Sequence, residues 1–129
     1  MKQQSGFTLI ELIAVIVILG ILAATAVPRF VDLSTAAEEA AVQGIAGALG
    51  SASALNHANN IADDAGLTTT TTVTTVGNCT DVASLLDGGL DADYTITAAA
   101  ITPEGASAQC TVTGPGAQTA TFTGYAVTQ

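Results

Sequence analysis

Basic residues are almost missing from this sequence. Among its 129 residues only Lys2 and Arg29 are basic, against 11 acidic residues, which gives a formal net charge of -9. Neutralising nucleic-acid phosphates requires clustered Lys and Arg side chains. Tryptophan is absent, and three Phe and two Tyr are the only aromatics, so platforms for stacking bases are excluded as well. We predict that the chain does not bind nucleic acid as a monomer.

Side chains suited to catalysis or metal binding are also scarce. His57 is the single histidine, and the sequence offers no nucleophile or orienting partner for it; we interpret it as a solvated residue near a helix end. Three carboxylates gather among glycines in 87–93, but without the spacing of a known calcium loop, which favours a solvated turn. The chain is therefore predicted to be no enzyme, with no catalytic residue, no metal site and no cofactor.

Only two cysteines are present, Cys79 and Cys110, both in the polar half of the chain. Because the chain begins with an apolar segment typical of exported proteins, we predict one disulfide between them, with two buried free thiols as the alternative. The loop that it closes would stabilise a small domain by about 3–4 kcal/mol in the chain-entropy model.

One long hydrophobic run dominates what is present. Residues 7–27 carry a single charge, on Glu11, and as a helix they would span about 31 Å, close to the thickness of a bilayer core. We predict a transmembrane helix at 7–29; a cleaved secretory signal is the alternative. Neither explains the carboxylate, which costs about 2.5–3.5 kcal/mol within a membrane helix unless it is paired or functional.

A cut between Gly6 and Phe7 would account for Glu11. It would release an α-ammonium group on Phe7, four residues before the carboxylate. In an assembly of staggered parallel helices, Glu11 of one copy could pair with the Phe7 amine of another. A buried polar pair of this kind attracts the two helices and also fixes their alignment along the axis.

The segment Gly6–Leu12, GFTLIEL, follows a short leader that contains Lys2, and it resembles the prepilin processing site of type IV pilins and related pseudopilins. The resemblance continues through IVILGILAATAVPRFVDL and is greatest to type IVa pilins of the mannose-sensitive haemagglutinin (MSHA) type. It implies a leader at 1–6, removed after Gly6 by a prepilin peptidase that also N-methylates Phe7. It further implies an inner-membrane assembly platform with cytoplasmic ATPases, which builds a helical homo-oligomer from subunits held in that membrane.

Gly20 and Pro28 are weak points of the apolar helix. Pro28 has no amide hydrogen, so we expect a kink there, and Gly20 costs about 1 kcal/mol relative to Ala. Pilins with Gly and Pro at these places are known for local melting on assembly, and the resemblance implies the same for 20–28. The alternative is that Gly20 allows close packing and Pro28 only bends the helix.

The remainder, 30–129, is predicted to be a globular head with an α+β fold: an amphipathic helix at about 30–62, a Thr-rich loop at 63–78 and a sheet region at 79–129. Candidate strands at 94–101, 108–113 and 119–127 predict an antiparallel sheet of three or four strands packed on the helix. A capping box at 35–38 leaves open a fresh helix start, although one long helix is simpler. The predicted buried helix face comprises Phe30, Leu33, Ala37, Ala41, Ile45, Leu49 and Ala52, and extends to Leu55 or Ile61.

The function that follows from the resemblance is structural. We predict the major subunit of a type IVa, MSHA-like pilus, held as a single-pass inner-membrane protein and then assembled into an extracellular filament for attachment. The alternative is a pseudopilin of a type II secretion system, which drives protein export. The cysteine pair and the lack of a clear calcium loop favour the pilin.

Overall fold

The computed structural model describes residues 6–129, apart from the side chains of Val31 and Asp32, so most of the predicted leader lies outside the described residues. One helix, α1, is followed by a three-stranded sheet and two short 3-10 helices, which confirms the α+β fold. The helix spans Leu9–Asp64, the 3-10 helices Cys79–Leu85 and Pro115–Ala117, and the strands Thr95–Ile96 (β1), Ser107–Thr113 (β2) and Thr119–Tyr125 (β3). Contacts divide the chain into two compact units, Met1–Ala36 and Ala37–Gln129.

The described part of the first unit is mostly helix. The helix continues through Pro28 and past Thr35 without a break, so the simpler prediction of one long helix is correct and no fresh helix starts at the capping box. A kink at Pro28 stays a prediction.

In the second unit, α1 buries a stripe that differs from the predicted one. The stripe repeats every three or four residues, as expected for one face of a helix, but three of its members are polar. Phe30 and Leu33 are 72% and 68% exposed. Ala37, Ala41, Leu55 and Ile61 are exposed too, so of the predicted face only Leu49 is buried, with Ile45 and Ala52 half-buried. Apolar periodicity alone does not reveal a buried stripe that contains both apolar and polar side chains. Its members are Val42, Ala46, Leu49, Ser53, Asn56 and Asn60.

The sheet has the order β1-β2-β3 and is antiparallel throughout. Strands β2 and β3 agree closely with their predicted segments, whereas β1 holds only two of the eight residues predicted at 94–101. The chain leaves β2 after Thr97 because its backbone then bonds to the segment 77–79. The Cys79 amide donates to Ala99 O over 2.9 Å, and the Ile101 amide donates to Gly77 O over 2.9 Å.

Alternate residues of β2 and β3 point into the core between sheet and helix. Cys110, Val112 and Phe122 are buried there, and Cys110 forms the predicted disulfide with Cys79. Gly124 lies close beneath this core: a Cβ there would lie 2.8 Å from Ile101 Cδ1 and 3.0 Å from the Cys110 sulfur, so a larger residue would require these side chains to shift. The disulfide therefore joins the first 3-10 helix to the middle strand.

The first 3-10 helix was not predicted, although its start carries a recognisable signal. Asn78 Oδ1 accepts the Thr80 amide over 3.2 Å, and Asp81 Oδ2 accepts the Asn78 amide over 2.8 Å. This reciprocal arrangement is a capping box.

Candidate assembly site

The carboxylate of Glu11 lies at the start of α1, where it caps the helix. Its Oε2 accepts hydrogen bonds from both the amide and the hydroxyl of Thr8, each over 2.8 Å, and the Thr8 hydroxyl accepts the Glu11 amide over 3.4 Å. Helix starts leave amide hydrogens without partners, and a Thr and a Glu three residues apart satisfy two of them reciprocally. The signal for this box, Thr8-Leu-Ile-Glu11, stood in the sequence and was missed.

The capping box changes what the carboxylate needs from a partner. Both recorded bonds end on Oε2, so Oε1 takes part in neither. One groove of about 570 Å³ is bordered by Phe7, Glu11, Leu12, Ala14 and Val15, so the residue that would carry the new amino terminus and the residue that carries the carboxylate border the same groove. The bonds from Thr8 hold the carboxylate in a fixed direction.

The apolar side chains that follow Glu11 are uncovered. Every large hydrophobic side chain from Leu9 to Leu22 is at least 45% exposed, and the segment is long and apolar enough to cross a membrane. A helix that is apolar all round needs lipid or other protein around it. The first unit thus carries a surface that its own described residues do not cover.

Two predicted site residues, Gly6 and Gly20, make no contact within their unit that would require glycine. At Gly6 and at Gly20, an added Cβ would meet nothing within 4 Å, and neither has a positive φ. Gly20 still costs about 1 kcal/mol relative to Ala within a helix. A requirement for glycine at either position would have to come from another molecule.

His57 is not solvated as predicted. Its ring stacks on Tyr125 with centroids 4.9 Å apart and 4° between the planes, and its Nδ1 is buried without a hydrogen-bond partner among the described residues. The residue therefore packs the helix against the end of β3. In the segment 87–93, Asp91 Oδ1 accepts the Asp93 amide over 3.0 Å, and no three Asp, Glu, His or Cys side chains gather as metal ligands in the part of the chain that the structure describes.

Comparison with known proteins places these features in a family. Residues 1–27 match the family described as the prokaryotic N-terminal methylation motif. The type IV narrow pilus major component PilA5 of Thermus thermophilus is 58% identical over 53 residues, which are 41% of this chain and 46% of that protein. The chain is homologous to type IV pilins.

Two other relatives of this pilin homologue come from Pseudomonas aeruginosa. A fimbrial protein is 45% identical over 60 residues, 34% of this chain and 39% of that protein. The type II secretion system core protein G is 43% identical over 61 residues, 47% of this chain and 43% of that protein. By name these relatives are fimbrial or secretion-system components, which supports the prediction that the chain is no enzyme.

The chain aligns with less than half the length of each of these curated relatives. No solved structure matches it. The family motif that this pilin homologue matches lies in its N-terminal segment, at residues 1–27. Its head is therefore described from its own structure alone.

Proposed function

We propose that this chain is the major subunit of a type IVa, MSHA-like pilus, which is cut after Gly6, N-methylated at Phe7 and polymerised into a surface filament for attachment. The observation that carries the proposal is the Glu11 carboxylate, fixed at the start of an uncovered apolar helix within the matched methylation motif. Before assembly the helix is held in the inner membrane. A prepilin peptidase and an assembly platform with cytoplasmic ATPases are the partners that this role requires.

The chemistry of assembly follows from the two oxygens of the carboxylate. Thr8 lowers the cost of the charge in the single chain, because it donates two hydrogen bonds to Oε2. After the cut, the Phe7 ammonium of a neighbouring copy binds Oε1. In surroundings of low dielectric this ion pair is strong only when both charges are also hydrogen-bonded, and Thr8 supplies that support on one side.

Gly20 and Pro28 serve the packed state in this proposal. Neither Gly6 nor Gly20 is demanded by contacts within its own unit. The peptidase accounts for Gly6, since a substrate backbone must approach the enzyme closely. Packing of neighbouring helices, with local loss of helical hydrogen bonds between Gly20 and Pro28, accounts for the second glycine.

The experiment separates the charge of Glu11 from its capping role. Glu11→Gln keeps an oxygen that can accept from Thr8 but removes the charge, and Glu11→Val removes both. Thr8→Ala removes the hydroxyl but keeps the charge and the backbone amide that donates to Oε2. We expect Glu11→Gln and Glu11→Val to insert into the membrane and to form few or no filaments. Thr8→Ala should still form them. Sheared surface fibres are quantified and their N-terminus is read by sequencing and intact mass.

Gly6→Leu is the control for processing. It should leave an uncut precursor in the membrane, with neither the new Phe7 terminus nor fibres. Abundant fibres from Glu11→Gln would contradict ion pairing and leave helix capping as the role of Glu11.

The second candidate function is a pseudopilin of a type II secretion system, which the similarity to core protein G favours. A deletion strain distinguishes the two. Loss of surface fibres with secretion intact supports the pilus, whereas loss of exported enzymes with fibres intact supports the pseudopilin.

A further inference from the structure

Strand β3 presents an unpaired backbone edge beside α1. It pairs with β2 from Ser107↔Tyr125 to Thr113↔Thr119, and no other strand flanks it in the described sheet. The Tyr125 amide donates to Ser53 Oγ over 2.9 Å and so points away from β2. Because amide directions alternate along a strand, the backbone groups of Thr119, Thr121 and Thr123 point the same way.

The helix covers one end of this edge and leaves the other open. Ser53 binds the Tyr125 amide, and an added Cβ at Gly50 would lie 4.0 Å from the Thr123 amide. At Thr119 and Thr121 the edge has no charge, no proline and no bulge, the features by which natural edge strands block further pairing. Beside it lies a groove of about 740 Å³ between β3 and the helix segment 43–54, lined by uncharged residues, most of them small or polar. The groove leaves room for an extended chain along this open part of the edge.

Further along the same edge, the chain already pairs in this manner. Val127 and Val76 form an antiparallel bridge, with the Val76 amide donating to Val127 O over 2.8 Å and the Val127 amide donating to Val76 O over 3.0 Å. Tyr125 and Val127 are two residues apart, so this bridge and the open positions share one edge. Its partner is the end of the Thr-rich loop.

Charge limits which part of another copy could occupy the rest of the edge. The unit 37–129 contains nine acidic residues and no basic residue, so acidic segments of two such units repel each other and uncharged segments are favoured at a contact. Leu67–Thr72, LTTTTT, is uncharged and largely exposed, lies outside every helix and strand, and is rich in β-branched residues. From Val73 onward the loop is held by burial and by the bonds between Asn56 and the Thr74 backbone.

We infer that the edge of β3 at Thr119–Thr121 accepts the Thr-rich segment Leu67–Thr72 of a second copy as an added antiparallel strand. Such a contact joins different surfaces of the two copies, and a contact of that type propagates into a filament instead of closing a dimer. The inference rests on the proposed function, because the contact forms between neighbouring subunits of the fibre.

Cysteine crosslinking between two co-expressed copies tests the contact. One copy carries Thr70→Cys and the other carries Thr121→Cys, so that a 70–121 crosslink can form only between copies. Fibres are sheared, oxidised and resolved without reductant, and the joined peptides are identified after cleavage at Asp and Glu, since Lys2 and Arg29 are the only basic residues. The matched control pairs Thr121→Cys with Asp91→Cys, an exposed position in another loop.

We expect a dimer from the 70–121 pair and none from the 91–121 pair. Thr121→Pro should reduce fibre yield because it removes one outward amide, whereas Thr121→Val keeps that amide and should leave the yield unchanged. Formation of the native disulfide in Thr121→Pro shows that its head has folded. Normal fibres without a 70–121 crosslink, or a dimer joined at 121–121, would overturn the inference and leave the proposed function standing. Absence of fibres from the unaltered chain would overturn both.

Discussion

At the scale of single residues, the polar members of the buried helix stripe hold three separate segments of the head. Ser53 accepts the Tyr125 amide at the end of β3. Asn56 bonds both backbone groups of Thr74, over 2.8 and 2.9 Å. Asn60 donates to Glu104 Oε1 over 3.3 Å. Buried polar groups with partners fix the position of each segment more narrowly than apolar contact does.

Ser53→Ala should destabilise the head by about 1–3 kcal/mol, because the Tyr125 amide would lose its partner in a buried place. Ser51→Ala is the matched control, since Ser51 is exposed on the same helix and bonds only to Gly47 O; its effect should stay within about 0.5 kcal/mol. Guanidinium unfolding of the full chain in detergent measures both. Tyr94 and Tyr125 are the only tyrosines, so their fluorescence reports the head alone.

Glu104 should make the stability of the head depend on acid pH. The Thr128 side chain and then the Asn60 side chain donate hydrogen bonds to its carboxylate, and they lower its pKa below the ordinary value. A lowered pKa in the folded state means that the stabilisation is complete above the pKa of the unfolded chain, about 4.3, and is lost as the pH falls through the folded value.

Thermal unfolding of Glu104→Gln at two pH values checks this assignment. At pH 7 the variant should melt below the unaltered chain, and the difference should shrink as acid pH protonates the Glu104 carboxylate, because both proteins then approach neutrality at position 104. An equal difference at both pH values would show that the carboxylate contributes through shape and not through charge.

At the scale of elements, the helix is stabilised by the side that the sheet covers. Leu49 is fully buried in the core, whereas Leu55 is 62% exposed on the same helix. Leu49→Ala should cost about 2–5 kcal/mol through lost burial and a residual cavity, and Leu55→Ala should cost about 0.5 kcal/mol or less. The same tyrosine-monitored unfolding compares them. Equal losses would mean that Leu55 is covered in the measured state.

The helix and strands also show which parts of the fold can be predicted from local sequence patterns. Helix α1, the disulfide, β2 and β3 follow from local patterns: apolar length, the cysteine pair and alternation. The buried helix face does not, because the hydrogen-bond partners of Ser53, Asn56 and Asn60 include groups far away in the chain: the Tyr125 amide, the Thr74 backbone and the Glu104 carboxylate. Strand β1 was also predicted too long because of contacts that are distant in the chain. Beyond Thr97, the backbone of this segment bonds to residues 77–79 and no longer to β2.

Three glycines in α1 show that a regular glycine spacing does not by itself establish close packing. Gly44, Gly47 and Gly50 recur at every third residue, and this spacing predicts that they closely approach another backbone. Only Gly50 does so, with Phe122 Cβ 3.7 Å and the Thr123 amide 4.0 Å from an added Cβ; nothing lies within 4 Å at Gly44 or Gly47. The two open glycines destabilise the helix by about 1 kcal/mol each relative to Ala, and contacts within the described residues do not offset that cost.

At the scale of the whole molecule, the two units have opposite chemistry. The first unit exposes an apolar helix that is suited to lipid or to other helices, and its proposed assembly role depends on Gly6, Phe7 and Glu11. The second unit carries nine acidic residues and no basic residue and keeps its own core. Folding of the head and processing of the N-terminus therefore rest on separate sets of residues, which a change confined to one unit can test.

The disulfide provides that test, because Cys79 and Cys110 both lie in the second unit. Replacing both cysteines by serine should lower the stability of the head by about 3–4 kcal/mol, since the open loop regains entropy when the chain unfolds. We expect the variant to be cut after Gly6 at the normal rate and then degraded by proteases before it accumulates in fibres. Pulse labelling follows the cut and the loss of subunit together. A variant that remained uncut would show that processing senses the folded head, and the independence of the two units would be wrong.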